Sequence, residues 1–428
     1  MGPRFGLRSF VTSIVTSLFL GSTGCASSGL VIAAEKGDLV ALKQRIDEAK
    51  RQGKLSGGEV RDAAKETAIR AVKQAEKGTD VDDVRMCVRD LETPLLERTK
   101  KHDEAGARAA YLLLDEDRVE TSRWSSQTAS EDPAWRAVGA RTLVSAYDGK
   151  ARRAFYLDLD PRVRIGAIEA AYRALDKADA APLLEVVRLD PDGVARNLGA
   201  RTVGAIGGRD VVLGLRDRWV RADEPLRAAI VSSWGFTASF DAGGHDALVW
   251  AAETQSGSPG VTAGSTLFRA TKADQPVGRA ALVRAMNGGS APVRVMAIQL
   301  SSLDDAELRA EIEKAAESAD RAVKVAALGK LALRSDKRKQ ALDELVPIAA
   351  SEENVANAAK VALAVARDRR VVALLVKDLA SPLPDVRAWA AGVLAGMHEL
   401  QEAAPVLADA EKSVRARVAC AIVNAPSK

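Results

Sequence analysis

A helix start recurs along the last three quarters of the chain. Its cleanest copies are Asp132-Pro133-Ala134-Trp135-Arg136, Asp160-Pro161-Arg162-Val163-Arg164 and Pro292-Val293-Arg294, with later ones at Asp385-Val386-Arg387 and Ser413-Val414-Arg415. Anchored on the residue before the basic position, the copies fall at 135, 163, 194, 226, 261, 293, 323, 355, 386 and 414, which is 28 to 35 residues apart. A period of that length with no strand signal between copies predicts stacked helical hairpins sharing one continuous core. Such arrays have no natural size limit, so the 428 residues need not divide into globular domains.

Composition agrees. Aromatics are only 4% of the chain and alanine is abundant, which suits close helix packing through small residues. Lys and Arg total 62 against 58 Asp and Glu, a net of +4. Arg4 and Arg8 lie in the first 24 residues, so the remainder is nearer +2. A nucleic-acid partner needs a basic excess on one face, and this balance argues against one.

The N-terminus reads as an address. Arg4 and Arg8 precede the apolar run Phe10–Leu20, and Gly21-Ser22-Thr23-Gly24-Cys25 follows. A basic start, a short apolar core and a small-residue site describe a signal peptide over 1–24. The run is shorter than the twenty or so apolar residues of a spanning helix. The stretch around Cys25 resembles the lipobox of bacterial lipoproteins, with Ser22 where an aliphatic residue is usual. The resemblance implies lipid attachment at Cys25, a tether over 25–29 and, with no Asp after Cys25, an outer-membrane destination facing the periplasm. Cleavage after Ala26, giving a soluble secreted or periplasmic protein, is the alternative.

Cys87 and Cys420 sit near opposite ends of the array. With helices packing 8–10 Å apart, a straight stack of about ten units separates them by roughly 80–100 Å, which predicts no bond between them. Cys420 then reads as a small buried residue. His102, His245 and His398 are isolated, no metal-ligand spacing occurs, and no cofactor motif is present.

Within one unit, 160–189, Asp160 can cap a helix while Pro161 takes its first position. Asp132-Pro133 and Asp190-Pro191 repeat the device. Val163, Ala167, Ile168, Ala171 and Leu175 form one helical face, and Pro182 opens a second helix over 183–189. The pattern Asp-Pro-x-Val-Arg-x-x-Ala-x-x-Ala-Leu, then a turn and a second helix, resembles HEAT repeats, in the short bacterial form called HEAT-like or PBS-lyase-type. Thr202–Leu215 and Ala391–Leu407 match the turn and second helix, and Ala105–Tyr111 is a weaker first copy. The resemblance implies an all-α, right-handed, armadillo-type solenoid of about eleven units over 104–428. Acids four residues before bases, such as Asp132/Arg136, Asp160/Arg164, Asp223/Arg227, Asp320/Lys324 and Glu411/Arg415, predict pairs on one helix face. In HEAT repeats the equivalent charges form a ladder between units.

Two regions leave the period. Residues 30–103 read as an N-terminal helical cap: Ile32–Ile46 resembles half of an ankyrin repeat, and Ser56-Gly-Gly-Glu59 leads into a charged helix from Val60 to Glu76. Residues 234–265 concentrate Trp234, Phe236, Phe240, His245 and Trp250 among glycines. They are either space-filling residues of an altered repeat or aromatic anchors for a protein partner, and the candidate contact residues lie here.

No nucleophile elbow, zinc-protease motif, phosphate loop or dinucleotide loop occurs. His245-Asp246 offers a possible base without an identifiable nucleophile. The resemblance extends to bilin lyases, which keeps an enzyme with a site near 234–265 as an alternative, beside a structural spacer without a partner. The reading is a non-catalytic scaffold of the bacterial cell envelope, binding a protein of unidentified kind along its concave face and the membrane through Cys25.

Overall fold

The computed structural model describes residues 28–334 and 336–426. The signal segment, Cys25 and most of the tether fall outside these residues. Among the described residues the chain is all-α, with 26 α-helices, short 3₁₀ turns and no strand.

The first five helices are α1 (Gly29–Lys36), α2 (Leu39–Arg51), α3 (Gly57–Lys73), α4 (Gly78–Asp82) and α5 (Glu92–Thr99). Then come α6 (Glu104–Asp115), α7 (Pro133–Arg141), α8 (Gly149–Phe155), α9 (Pro161–Ala174) and α10 (Ala180–Leu189). The next group is α11 (Gly193–Ile206), α12 (Arg209–Trp219), α13 (Glu224–Trp234), α14 (Thr237–Ser239) and α15 (His245–Thr254). They continue as α16 (Ser258–Ala270), α17 (Gln275–Gly288), α18 (Ala291–Leu300), α19 (Ala306–Ala315) and α20 (Arg321–Leu331). The last are α21 (Arg338–Ala349), α22 (Ala356–Val365), α23 (Arg370–Asp378), α24 (Pro384–Gly396), α25 (Leu400–Ala403) and α26 (Lys412–Val423).

The recurrent helix starts open α7, α9, α11, α13, α16, α18, α20, α24 and α26, and the anchor at 355 caps α22. Asp132 and Asp160 cap as expected, accepting from the Ala134 and Arg162 amides, with Pro at the first helical position. Asp190 departs from the expectation. Helix α11 begins two residues later with Asp192 as its cap, because the Asp190 carboxylate is taken by Arg164 from the preceding unit. Leu175 departs too: it ends α9 at φ 49° and lies half exposed rather than on the buried face.

That Arg164–Asp190 contact belongs to a series. Arg136, Arg164 and Arg387 each reach forward with Nε and Nη2 to both oxygens of Asp158, Asp190 and Asp409, at 2.6–3.2 Å. Arg196 reaches Asp223 at 3.2 Å. The Nη1 of all four donates to two carbonyls of its own preceding loop, as in Arg164 to Asp158 and Leu159. The pairs expected within one helix therefore do not form at these positions, and the charges bind successive units as an inter-unit ladder. A guanidinium can serve two carbonyls and a carboxylate at once because its donors lie in a rigid planar fork.

Successive first helices pack on one another from α7 through α9, α11, α13, α16, α18 and α20 to α22, with α23 leading to α24 and then α26. They come close because small residues face each other. A Cβ on Gly166 would lie 2.6 Å from the Ala137 carbonyl, and one on Gly204 2.5 Å from the Ser233 Cβ. Second helices of neighbouring units touch far less. In a curved two-layer array the tighter layer lies on the shorter arc, so the first helices form the inner side.

The curvature closes the array. Helix α26 packs against α3, and the 3₁₀ turn 404–408 packs against α2. Gln401 donates to the Leu55 carbonyl at 3.1 Å, Arg61 to the carbonyls of Ala425 and Pro426 at 2.8 and 2.7 Å, and Lys50 pairs with Glu402 at 2.7 Å. Cys87 and Cys420 are joined by a disulfide with Cα atoms 5.2 Å apart. The expectation that they cannot bridge is thus overturned. It assumed a straight stack, whereas a rotation of roughly 30° per unit over about twelve units brings the last helix back to the first. Cys420 is buried as expected, at 1% exposure.

The bond closes a loop spanning 333 residues of sequence separation. Loops of that length lie at the upper end of disulfide stabilisation, about 3–5 kcal/mol. Cys420→Ser should lower stability by that order in denaturant titration and move the α3/α26 amides to faster hydrogen exchange. Two free thiols by mass spectrometry in the protein purified from an oxidising compartment would contradict the closure.

Candidate interface on the inner face

The segment 234–265 carries a buried aromatic cluster beneath a partly exposed turn. Trp234 is fully buried; its ring stacks on Trp219 at 5.5 Å between centroids and meets Trp250 edge-on at 6.4 Å. Trp219, which lies outside the segment, also meets Trp250 at 5.4 Å. Arginines cover the cluster from both sides, with Arg216 at 5.4 Å from the Trp250 ring and Arg227 at 5.7 Å from Trp219. Trp234 is therefore not accessible to a partner in this fold; it packs between α12, α13 and α15, next to a turn. That turn, 240–244, is a single π-type turn containing Gly243 at φ 108°.

The other candidates are half-buried and held. Phe236 lies edge-on to Tyr172 at 6.3 Å, and Phe240 edge-on to His245 at 5.1 Å. His245 contacts Asp274 through Nε2 at 2.8 Å and Asp246 through Nδ1 at 3.3 Å. The hydrogen bond to Asp274 raises the His245 pKa against a smaller opposing effect of burial, and His245 in turn lowers that of Asp274. The pair ties the turn to the start of α17. A hollow of about 390 Å³ beside Phe240, lined by Thr237, Thr266 and Arg269, is the open part of this region.

The larger opening lies over α7. This helix is short and its residues Ala137–Arg141 are buried, so α6 and α9 stand above it and meet across it. The Tyr111 hydroxyl bonds to Glu169. The buried Arg141 guanidinium lies 2.9 Å from Glu169 and 3.5 Å from Asp115. Arg173 donates to the carbonyls of Leu114 and Asp115, both at 3.1 Å. Burial first, and then the Glu169 carboxylate, push the Tyr111 pKa well above its ordinary value, so its hydroxyl is a proton donor at neutral pH.

Two hollows of about 400 and 590 Å³ adjoin at Asp115 and Glu169. Together they form a recess along the inner face from α4 to α11. Ile165, Tyr172 and Leu198 supply apolar surface, and Arg162 and Arg201 stand at its edges. Such a mixture suits a protein segment with alternating apolar and charged side chains. Sequence reasoning missed these residues. Their signal was the three-to-four residue spacing of Ile165, Glu169 and Tyr172 on the unburied stripe of a repeat helix, a stripe that is visible only once the buried one is known.

The sign of the His245–Asp274 linkage sets a pH test. A raised His pKa stabilises the fold fully below the unfolded value of about 6.5, and the gain disappears as pH rises through the folded value. Asp274 must stay ionised, so the gain also fails in acid as its carboxylate protonates. His245→Gln should therefore cost at most about 1 kcal/mol near pH 6, because the ring is partly exposed, and much less at pH 9. Equal losses at both values in urea titrations would refute the linkage.

No known family model matches the chain, and no curated protein matches it.

Proposed function

We propose that this protein is a right-handed HEAT-like ring, exported and lipid-anchored at Cys25 in the cell envelope, that acts as a non-catalytic scaffold. Its protein partner docks in the inner-face recess over α7. The observation that carries this reading is the recess itself, with apolar Ile165, Tyr172 and Leu198 set among charges held in place by neighbours. Charged groups that are already ordered lose little freedom on binding, which favours recognition by complementarity.

The Cys87–Cys420 disulfide supports the export half of the proposal. Such bonds persist in oxidising compartments and are rare in a reducing cytosol. The near-neutral charge balance supports a protein partner over nucleic acid.

A photo-crosslinking amino acid at position 172 tests the site in cells. It should capture one discrete protein from the envelope fraction, whereas the same group at the fully exposed Tyr147 should not. Arg201→Glu should weaken that capture severalfold, and Cys25→Ser should release the chain from the membrane pellet. Absence of a discrete adduct at 172, or the same adduct at 147, would defeat the docking site; retention of the Cys25→Ser chain would defeat the anchor.

A further inference from the structure

The inter-unit ladder ends at the seam with one member incomplete. Arg415, on the last first-layer helix, grips its preceding loop as the others do, donating from Nη1 to the carbonyls of Asp409 and Ala410 at 2.6 and 2.8 Å. In six of the other units the forward side of the basic residue finds a polar partner. Asp158, Asp190, Asp223 and Asp409 serve four arginines. Glu344 serves Lys324 and the Ser318 hydroxyl lies at 3.4 Å from Arg294, whereas Arg227 packs back on the Trp219 ring and carbonyl of the unit before it. Among the described residues no carboxylate, hydroxyl or ring takes that place for Arg415.

The unit that follows Arg415 around the ring is the N-terminal one, and it presents a cation instead. Arg70 of α3 donates to the Glu35 carbonyl at 3.2 Å and lies against Gly37, where any Cβ would fall 2.1 Å from its Nε. Gly37 ends α1 at φ 68°, a conformation suited to glycine. Between these groups lies a cavity of about 230 Å³ whose walls include Arg70, Lys412, Arg415, Thr67 and Gln74, and no carboxylate. Lys412 is held at the rim by the Gln74 carbonyl at 2.6 Å, with Asp80 more distant at 3.5 Å. Of the other acids close by, the Asp409 carboxylate is already bound on both oxygens by Arg387, and Glu411 acts on Arg415 without bonding to it. Burial lowers the Arg415 pKa; Asp409 and, more weakly, Glu411 oppose this, while the Arg70 charge adds to it.

We infer that the seam cavity is an oxyanion site, in which a phosphate group bridges Arg70, Lys412 and Arg415 and takes the place that an aspartate holds at four of the other junctions. Arginine forks match phosphate oxygens in geometry, and lysine supplies a point charge. The volume fits a phosphate group with a small substituent and is below that of a cofactor pocket. Two sources share this chemistry, free phosphate and the headgroup of an anionic phospholipid. Helix α1, which lines the cavity through Ala34 and Gly37, starts four residues after Cys25. The lipid source rests on the anchor proposed above, whereas the site does not.

Calorimetric titration of the purified protein with inorganic phosphate at low ionic strength tests the site. One phosphate should bind per chain, at least tenfold more weakly in Arg415→Gln and in Lys412→Gln. Lys412→Gln leaves the Arg415 grip on its loop intact, so it reports on binding even if Arg415→Gln loosens the fold. Flotation with phosphatidylglycerol or phosphatidylcholine vesicles then separates the sources. A phosphatidylglycerol preference lost in both variants assigns a headgroup; phosphate binding without that preference assigns the free ion. If neither ligand binds saturably, or if the variants bind as the parent does, the inference fails, and membrane retention through Cys25 is unaffected by that result.

Discussion

The contact on which this architecture depends is the grip of one arginine on two carbonyls behind it and one aspartate ahead. Stacked helical hairpins bury their apolar faces against neighbours, yet burial alone is non-directional and leaves the angle between units free. The arginine removes that freedom, because its planar fork fixes both the loop before its own helix and the loop before the next. The aspartate is doubly used as well: Asp158, Asp190 and Asp409 each also accept the amide two residues on. At Asp158 the Arg136 fork outweighs burial and holds the carboxylate below its usual range. Such a pair loses far more when one partner is removed than its net worth suggests, since the other charge stays half-buried and unpaired.

Repeated geometry of this kind accumulates. A small constant rotation per unit makes a superhelix in general, and here it returns α26 to α3. The seam is not a copy of the other junctions. It carries the disulfide, carbonyl contacts from Arg61 and Gln401, and the arginine without its aspartate. The N-terminal helices therefore hold both ends of the array, whereas the reading of 30–103 as an N-terminal cap placed them at one end only.

Much of the fold was legible, and the reason is local. The helix starts depend on Asp and Pro at adjacent positions, so Asp132-Pro133 and Asp160-Pro161 announce themselves. Where two local signals competed, as at Asp190, the inter-unit arginine took the carboxylate and the cap moved to Asp192. The disulfide was illegible because its partners are 333 residues apart and their meeting depends on a summed angle that no single repeat encodes. Trp234 misled for a related cause. A large aromatic beside glycines looks like an exposed anchor until Trp219, from the preceding unit, is seen stacked on it. The recess over α7 was hidden because its walls come from α4, α6, α7, α9 and α11, a few residues from each and far apart in sequence.

Closure changes what the inner face can do. In an open solenoid the end units have one neighbour each, fray first, and let the array flex to fit a partner. A ring gives every unit two neighbours, so opening any one junction must also strain the rest. The inner face is then preorganised: Arg141, Glu169 and Tyr111 hold their positions before any partner arrives. The cost is that the recess cannot widen by uncurling. Under the docking proposal, a partner must bring a segment that fits the existing hollow, which selects for a loop or tail over a broad flat surface. The same rigidity gives the seam its leverage, because it is the junction through which the closed and the open array are connected.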